Sequence, residues 1–214
     1  MASLFPPWAN TATHVVLGVL AAGLAAALAA PMIYARTPFA TGAGDPLLQP
    51  VLFDHRHHVR DDGIDCLYCH DGAERAPYAG IPPTERCLGC HDQIWNDSAP
   101  IAPLVDSLAT GRSIRWQRVH SLPDFVYFDH AIHTRRGIGC VSCHGRVDEM
   151  AAVYQVHALT MRWCLDCHRD PVRHLRPRDQ ITSMTWAAGG PDQLAALAAE
   201  YRPRRLTHCS TCHR

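Results

Sequence analysis

Cys66-Leu67-Tyr68-Cys69-His70 is a five-residue pattern that the chain repeats four more times. The other copies are Cys87-Leu88-Gly89-Cys90-His91, Cys140-Val141-Ser142-Cys143-His144, Cys164-Leu165-Asp166-Cys167-His168 and Cys209-Ser210-Thr211-Cys212-His213. Together they use all 10 cysteines of the 214-residue chain. At this composition, chance placement would give roughly 0.03 such patterns per chain. No thiol is left over for a disulfide or a lone reactive site. C-x-x-C-H is the attachment pattern of a c-type haem, because two thiols add to the two vinyl groups and the adjacent His lies on the iron. Five covalent c-type haems are therefore expected. Cys66, Cys69, Cys87, Cys90, Cys140, Cys143, Cys164, Cys167, Cys209 and Cys212 would be the thioether donors. The proximal iron ligands would be His70, His91, His144, His168 and His213.

Zinc is the competing chemistry for paired cysteines. It does not call for His immediately after every second Cys, and it would leave ten of the 15 histidines without a role. A thioredoxin-like redox pair needs a βαβ setting that none of the five copies has.

Working outward, the chain says one thing twice. Phe53-Asp54-His55-Arg56-His57-His58 precedes Gly63-Ile64-Asp65-Cys66, and Phe128-Asp129-His130-Ala131-Ile132-His133 precedes Gly137-Ile138-Gly139-Cys140. From Phe to Cys the offset is 13 residues in the first copy and 12 in the second. Each copy runs on to a second motif of the form Cys-Leu-x-Cys-His. Two histidines three apart lie on one side of a helical turn, so one short helix can serve two irons. An iron that transfers electrons rather than binding substrate needs a sixth ligand. The expected distal set is His55 for the haem at Cys66, His58 for that at Cys87, His130 for that at Cys140 and His133 for that at Cys164. His57 is a spare, expected to be exposed. For the fifth haem His120 is the first candidate, with Met150, Met161 and His157 as alternatives. No catalytic residue is expected, since candidate sixth ligands outnumber the haems.

At the N-terminal side, Val15 to Ile33 is an uncharged run of nineteen residues. A helix of that length spans about 28 Å, close to the hydrocarbon thickness of a bilayer. Ala27-Leu28-Ala29 resembles a signal-peptidase site; the span is read here as an uncleaved anchor. Its small residues at four-residue spacing, Gly18, Ala22 and Ala26, suit close packing against a partner helix.

The expected organisation follows: a short segment over 1–13, an anchor over 14–35, a linker over 36–50 and a first two-haem unit over 51–98. A connector over 99–127, a second two-haem unit over 128–175 and a C-terminal segment with the fifth haem over 176–214 complete it. The fold class is mainly α with much irregular structure, built around the haems. With 5 Phe, 6 Tyr and 16 Pro, the chain can build only short helices and a sparse side-chain core. One amphipathic helix is readable, from about Pro191 to Tyr201. The formal net charge is zero, with 20 basic and 20 acidic residues, which excludes a nucleic-acid partner. Every basic residue is Arg, whose fork pairs bidentately with carboxylates such as haem propionates.

The two units resemble the multihaem cytochrome c3/c7-like class, in which F-x-H-x-x-H precedes C-x-x-C-H. More closely, the layout resembles the pentahaem cytochrome c subunit of bacterial alternative complex III. The resemblance is carried by the single N-terminal span, by Gln49-Pro50 before Phe53-x-His55-x-x-His58, and by Gly63-Ile64-Asp65-Cys66-x-Tyr68-Cys69-His70. It continues through Trp116-x-Arg118-Val119-His120-x-Leu122-Pro123-Asp124-Phe125-Val126-Tyr127-Phe128 and Met161-x-Trp163-Cys164-Leu165-x-Cys167-His168-Arg169. It implies an electron-transfer subunit, not itself an enzyme, in a quinol-oxidising respiratory or photosynthetic complex. Such a subunit relays electrons from an iron–sulfur partner to a monohaem cytochrome c, another periplasmic acceptor or an oxidase. It sits in the bacterial inner membrane with its haem domain on the periplasmic side. The alternative is a membrane-anchored multihaem quinol dehydrogenase that oxidises quinol itself.

Overall fold

The computed structural model describes residues 5–214 and divides the chain into two compact units, Met1–Gly42 and Ala43–Arg214. In the first, one helix runs Ala9–Tyr34. Ala and Leu, the strongest helix formers, dominate it, and its one proline, Pro31, falls in the last turn where few backbone bonds remain to be lost. Its mean hydropathy reaches 2.2 over an 18-residue window and none of that window is buried, so by length and composition it can cross a membrane. Arg36, the first charge beyond it, donates to the carbonyl of Met32 and so caps the helix end. The segment expected as a plain linker opens with a one-turn helix, Pro38–Thr41. Thr37 caps it through its hydroxyl, and Gly42 closes it in the left-handed region at φ 67°.

The second unit is a chain of short helices joined by turns, with no strand among the described residues beyond a single bridge between Ile138 and Leu175. Two small apolar clusters hold it. Val51, Ile101 and Leu104 pack with Leu88 and Trp116; Leu175, Leu197 and Tyr201 pack with Ile138, Trp186 and Leu194. The second cluster depends on the helix Pro191–Tyr201, which spans the residues that its apolar pattern predicts. Helix Ala102–Thr110, in the expected connector, was not legible from periodicity. Its ends carry the signals, Pro103 in the first turn and Gly111 at φ 66° after the last. Only ten apolar residues of the described chain are buried. That is a small side-chain core for a unit of this size.

The sequence repeat is a structural repeat. Asp129 caps the helix His130–Arg135 through its carboxylate, whereas the matching turn over Arg56–Asp61 is a π-helix. A π turn accommodates one extra residue. It therefore absorbs the single-residue difference in spacing between the two copies. Each copy then turns on a glycine with positive φ, Gly63 at 70° and Gly137 at 82°. The next residue closes the turn: Ile64 N donates to His58 O at 2.9 Å, and Ile138 N to His133 O at 3.1 Å. Only glycine takes that conformation cheaply, which is why Gly-Ile recurs before each first cysteine.

A candidate multihaem centre

Each repeated Phe holds two imidazoles. Phe53 meets His55 edge-on at 4.7 Å and stacks on His58 at 4.3 Å; Phe128 meets His130 edge-on at 4.8 Å and stacks on His133 at 4.5 Å. The carbonyl just before each turn holds the second ring again, since His58 Nδ1 lies 3.0 Å from Asp54 O and His133 Nδ1 lies 2.7 Å from Asp129 O. His130 Nδ1 bonds across to Pro77 O at 2.8 Å. Three of the motif histidines use the same device. His70 Nδ1 lies 2.7 Å from Gly80 O, His91 Nδ1 3.2 Å from Ile94 O and His213 Nδ1 3.1 Å from Phe125 O. Engaging Nδ1 with a carbonyl fixes the tautomer and leaves Nε2 free as a ligand, as in metal-binding histidines generally.

Imidazoles of the two repeated turns lie close to imidazoles of the motifs. Ring centroids are 6.1 Å apart for His58 and His91, 6.1 Å for His133 and His168, and 6.3 Å for His130 and His144. An iron midway between two imidazoles, with bonds of about 2 Å to each Nε2, requires a separation of this order. His55 is electrostatically coupled to His70 and His58, and its Nδ1 is buried without a partner. Burial favours the neutral, ligating form of His144 and His55. It pushes His144 down to about 3 and, with His70 and His58 nearby, His55 down to about 4. His133 and His168 are lowered for the same reason.

The ten thiols are free, eight of them partly buried and Cys90 and Cys209 exposed. Burial pushes Cys143 up to about 12 and raises Cys69, Cys87, Cys164 and Cys167. Buried neutral thiols are poor sites for a bare cation. No cluster of three or more metal-ligating side chains occurs among the described residues. Paired thiols, facing imidazoles with free Nε2 and a sparse core together fit a haem better than zinc.

Of the remaining sequence candidates, His57 is exposed, stacks on Trp95 at 6.2 Å and approaches Asp61 and Asp62. His120 packs edge-on against His144 at 4.3 Å, too close for an iron between them, and its Nε2 is buried without a partner. His130 and His157 lie within electrostatic reach of it, and burial lowers its pKa. His157 stacks on Trp163 at 5.0 Å, Met150 is buried and Met161 is exposed. The two Phe residues are the functional positions whose role sequence reasoning missed. Their signal was their fixed place two residues before each first histidine.

These features define a chain of repeated paired-thiol, paired-imidazole sites. Over 97 residues the chain is 35% identical to the multiheme cytochrome c subunit of the menaquinone reductase of Nitratidesulfovibrio vulgaris (strain Hildenborough), a match that covers 45% of each chain. The chain thus spans less than half the length of that curated relative. No protein-family model matches it.

Proposed function

We propose that this chain is a membrane-anchored multihaem cytochrome c with five haems that relays electrons and has no substrate site of its own. The observation that carries this reading is the set of imidazole pairs held 6.1 to 6.3 Å apart, each with one member from a C-x-x-C-H motif. When bound, a haem with two axial imidazoles supplies one-electron exchange at a closed iron. The residues do the rest. Cysteine pairs would hold the haem, the Nδ1-to-carbonyl bonds of His58, His70, His91, His130, His133 and His213 fix those rings with Nε2 free, and Phe53 and Phe128 brace the distal rings.

The distal ligands are His55, His58, His130 and His133 for the first four motifs in chain order. His120 is carried forward for the fifth, because four irons are otherwise matched and its Nε2 has no other partner. The N-terminal helix anchors the chain in the bacterial inner membrane, with the haem domain on the periplasmic side. The match to a menaquinone reductase subunit supports a place in a quinol-linked membrane complex. The donor would be an iron–sulfur subunit, and the acceptor a monohaem cytochrome c or an oxidase, as in alternative complex III. The deciding test is whether quinol reduces the isolated chain as well as the chain in its native complex. Rapid reduction only in the complex is expected. Reduction of the isolated chain would instead make it a quinol dehydrogenase.

A further inference from the structure

We propose that the five motifs are strung in space in the order second, first, third, fourth, fifth, so that the motifs at Cys87–His91 and Cys209–His213 are the two ends. The inference rests on the reading of the motifs as haem sites. It assigns the path through them, which chain order does not give.

Four junctions carry it. The second and first motifs are joined because one turn supplies both His58, facing His91, and His55, coupled to His70; Cys69 and Cys87 also lie within electrostatic reach of each other. The third and fourth are joined in the same way through His130 and His133, and Cys143 lies within reach of Cys164 and Cys167. The step between the units runs from the first motif to the third. Both motifs close on the same two residues: Cys140 N donates to Ile181 O at 3.0 Å, while Thr182 donates its hydroxyl to Asp65 at 2.6 Å and its carbonyl lies 3.9 Å from Cys66 Sγ. The backbone clamps that junction. His130 N donates to Pro77 O and Ala131 N to Ala76 O, both at 3.2 Å, and Thr134 Oγ1 donates to Ala73 O at 2.9 Å. Finally, the fifth motif is tied to the start of the second unit, where Tyr127 N donates to Cys212 O at 2.8 Å and His213 Nδ1 lies 3.1 Å from Phe125 O; there Cys212 comes within electrostatic reach of Cys164, which adds the fifth motif to the fourth.

Each thiol would attach at a porphyrin edge, so motifs whose cysteines lie near one another would bring two edges near one another. Exposure agrees with the order. Cys90 and Cys209, one in each end motif, are the exposed cysteines, and the other eight are partly buried. Along this path each hop oxidises one ferrous iron and reduces the adjacent ferric iron; no bond forms or breaks and no proton moves. Partners that give and take electrons therefore meet the chain at the second and fifth motifs, and the first motif is an interior junction despite opening the series in sequence.

The test is to locate the irons in the haem-loaded full chain by anomalous scattering at the iron edge. The first iron is expected to have the second and third as nearest neighbours, and the fifth to have only the fourth. A second iron nearer the third than the first is, or a fifth iron beside the first, overturns the order. Stepwise redox titration provides an independent check. The pair Cys87→Ala and Cys90→Ala should trim one end and leave the other four haems shifting one another's midpoints. Cys140→Ala with Cys143→Ala should instead split them into two pairs with no mutual shift, and the reverse pattern overturns the proposal. The relay reading fails separately, if quinol reduces the isolated chain, whatever order the irons take.

Discussion

The phenyl ring of Phe128 stacks on the imidazole of His133 at 4.5 Å with the planes 28° apart, while the carbonyl of Asp129 holds the same imidazole from its Nδ1 side. Two constraints on one ring fix its rotation as well as its position. Phe128→Leu keeps apolar volume but removes the stack, which is worth about 0.5–1.5 kcal/mol beyond burial. The expected result is a stability loss of that order in denaturant unfolding, with a shifted low-spin electron paramagnetic resonance signal from one haem. Unchanged spectra would reduce Phe128 to packing.

His130 faces His144 at 6.3 Å with nearly parallel rings, 13° apart. In His130→Ala the iron held by His144 should lose its sixth ligand. One haem in five is expected to turn high-spin and to bind carbon monoxide, whereas the parent protein binds none. Carbon monoxide difference spectra measure this directly, and exogenous imidazole should restore the low-spin state.

For His120 the experiment decides between ligand and packing. If its buried Nε2 serves the fifth iron, His120→Ala yields one high-spin haem and His120→Met yields a near-infrared band typical of His/Met ligation. Retention of five low-spin haems in both variants would leave the ring as edge-on packing for His144.

The two repeated glycines should differ in sensitivity. Gly63 and Gly137 both have positive φ, but a Cβ on Gly63 meets open space while one on Gly137 would lie 2.6 Å from the Tyr201 ring. Gly63→Ala should cost only the left-handed strain, about 1–2 kcal/mol. Gly137→Ala should cost more, because it also pushes Tyr201 out of the cluster with Leu175 and Leu197. Midpoints of chemical denaturation of the two variants, compared directly, check the ranking.

Asp148 is buried and held below the usual carboxylate range by hydrogen bonds from Arg146. Its folded-state value is depressed, so its contribution is present above the unfolded carboxylate value and is lost as pH falls below it. Asp148→Asn should therefore lower stability at neutral pH and flatten the loss of stability on acidification. Melting temperatures from neutral to strongly acidic pH test the sign.

Much of the site was legible because its chemistry is local. A thioether pair and its proximal ligand need five consecutive residues, so Cys66–His70 and its four copies declare themselves without any fold. Helical spacing and the repeat picked out His55, His58, His130 and His133 as a set, whereas the closeness of His58 to His91 is a tertiary contact. The π turn over Arg56–Asp61 was foreshadowed only by the extra residue between Phe53 and Cys66, and helix Ala102–Thr110 by its flanking Pro103 and Gly111. The sites' neighbours were not legible at all.

By itself, then, the sequence determined the five motifs, the doubled unit, the apolar span and the helix Pro191–Tyr201, all set by spacings within a turn or two of chain. The tertiary structure decided that Cys66 and Cys140 both close on the Ile181-Thr182 backbone, that His120 rests on His144, and that Pro77 and Ala76 receive the start of the second unit's helix. Those contacts join residues far apart in the chain. They are fixed by how two units with little side-chain core pack against each other, and no local periodicity encodes that choice.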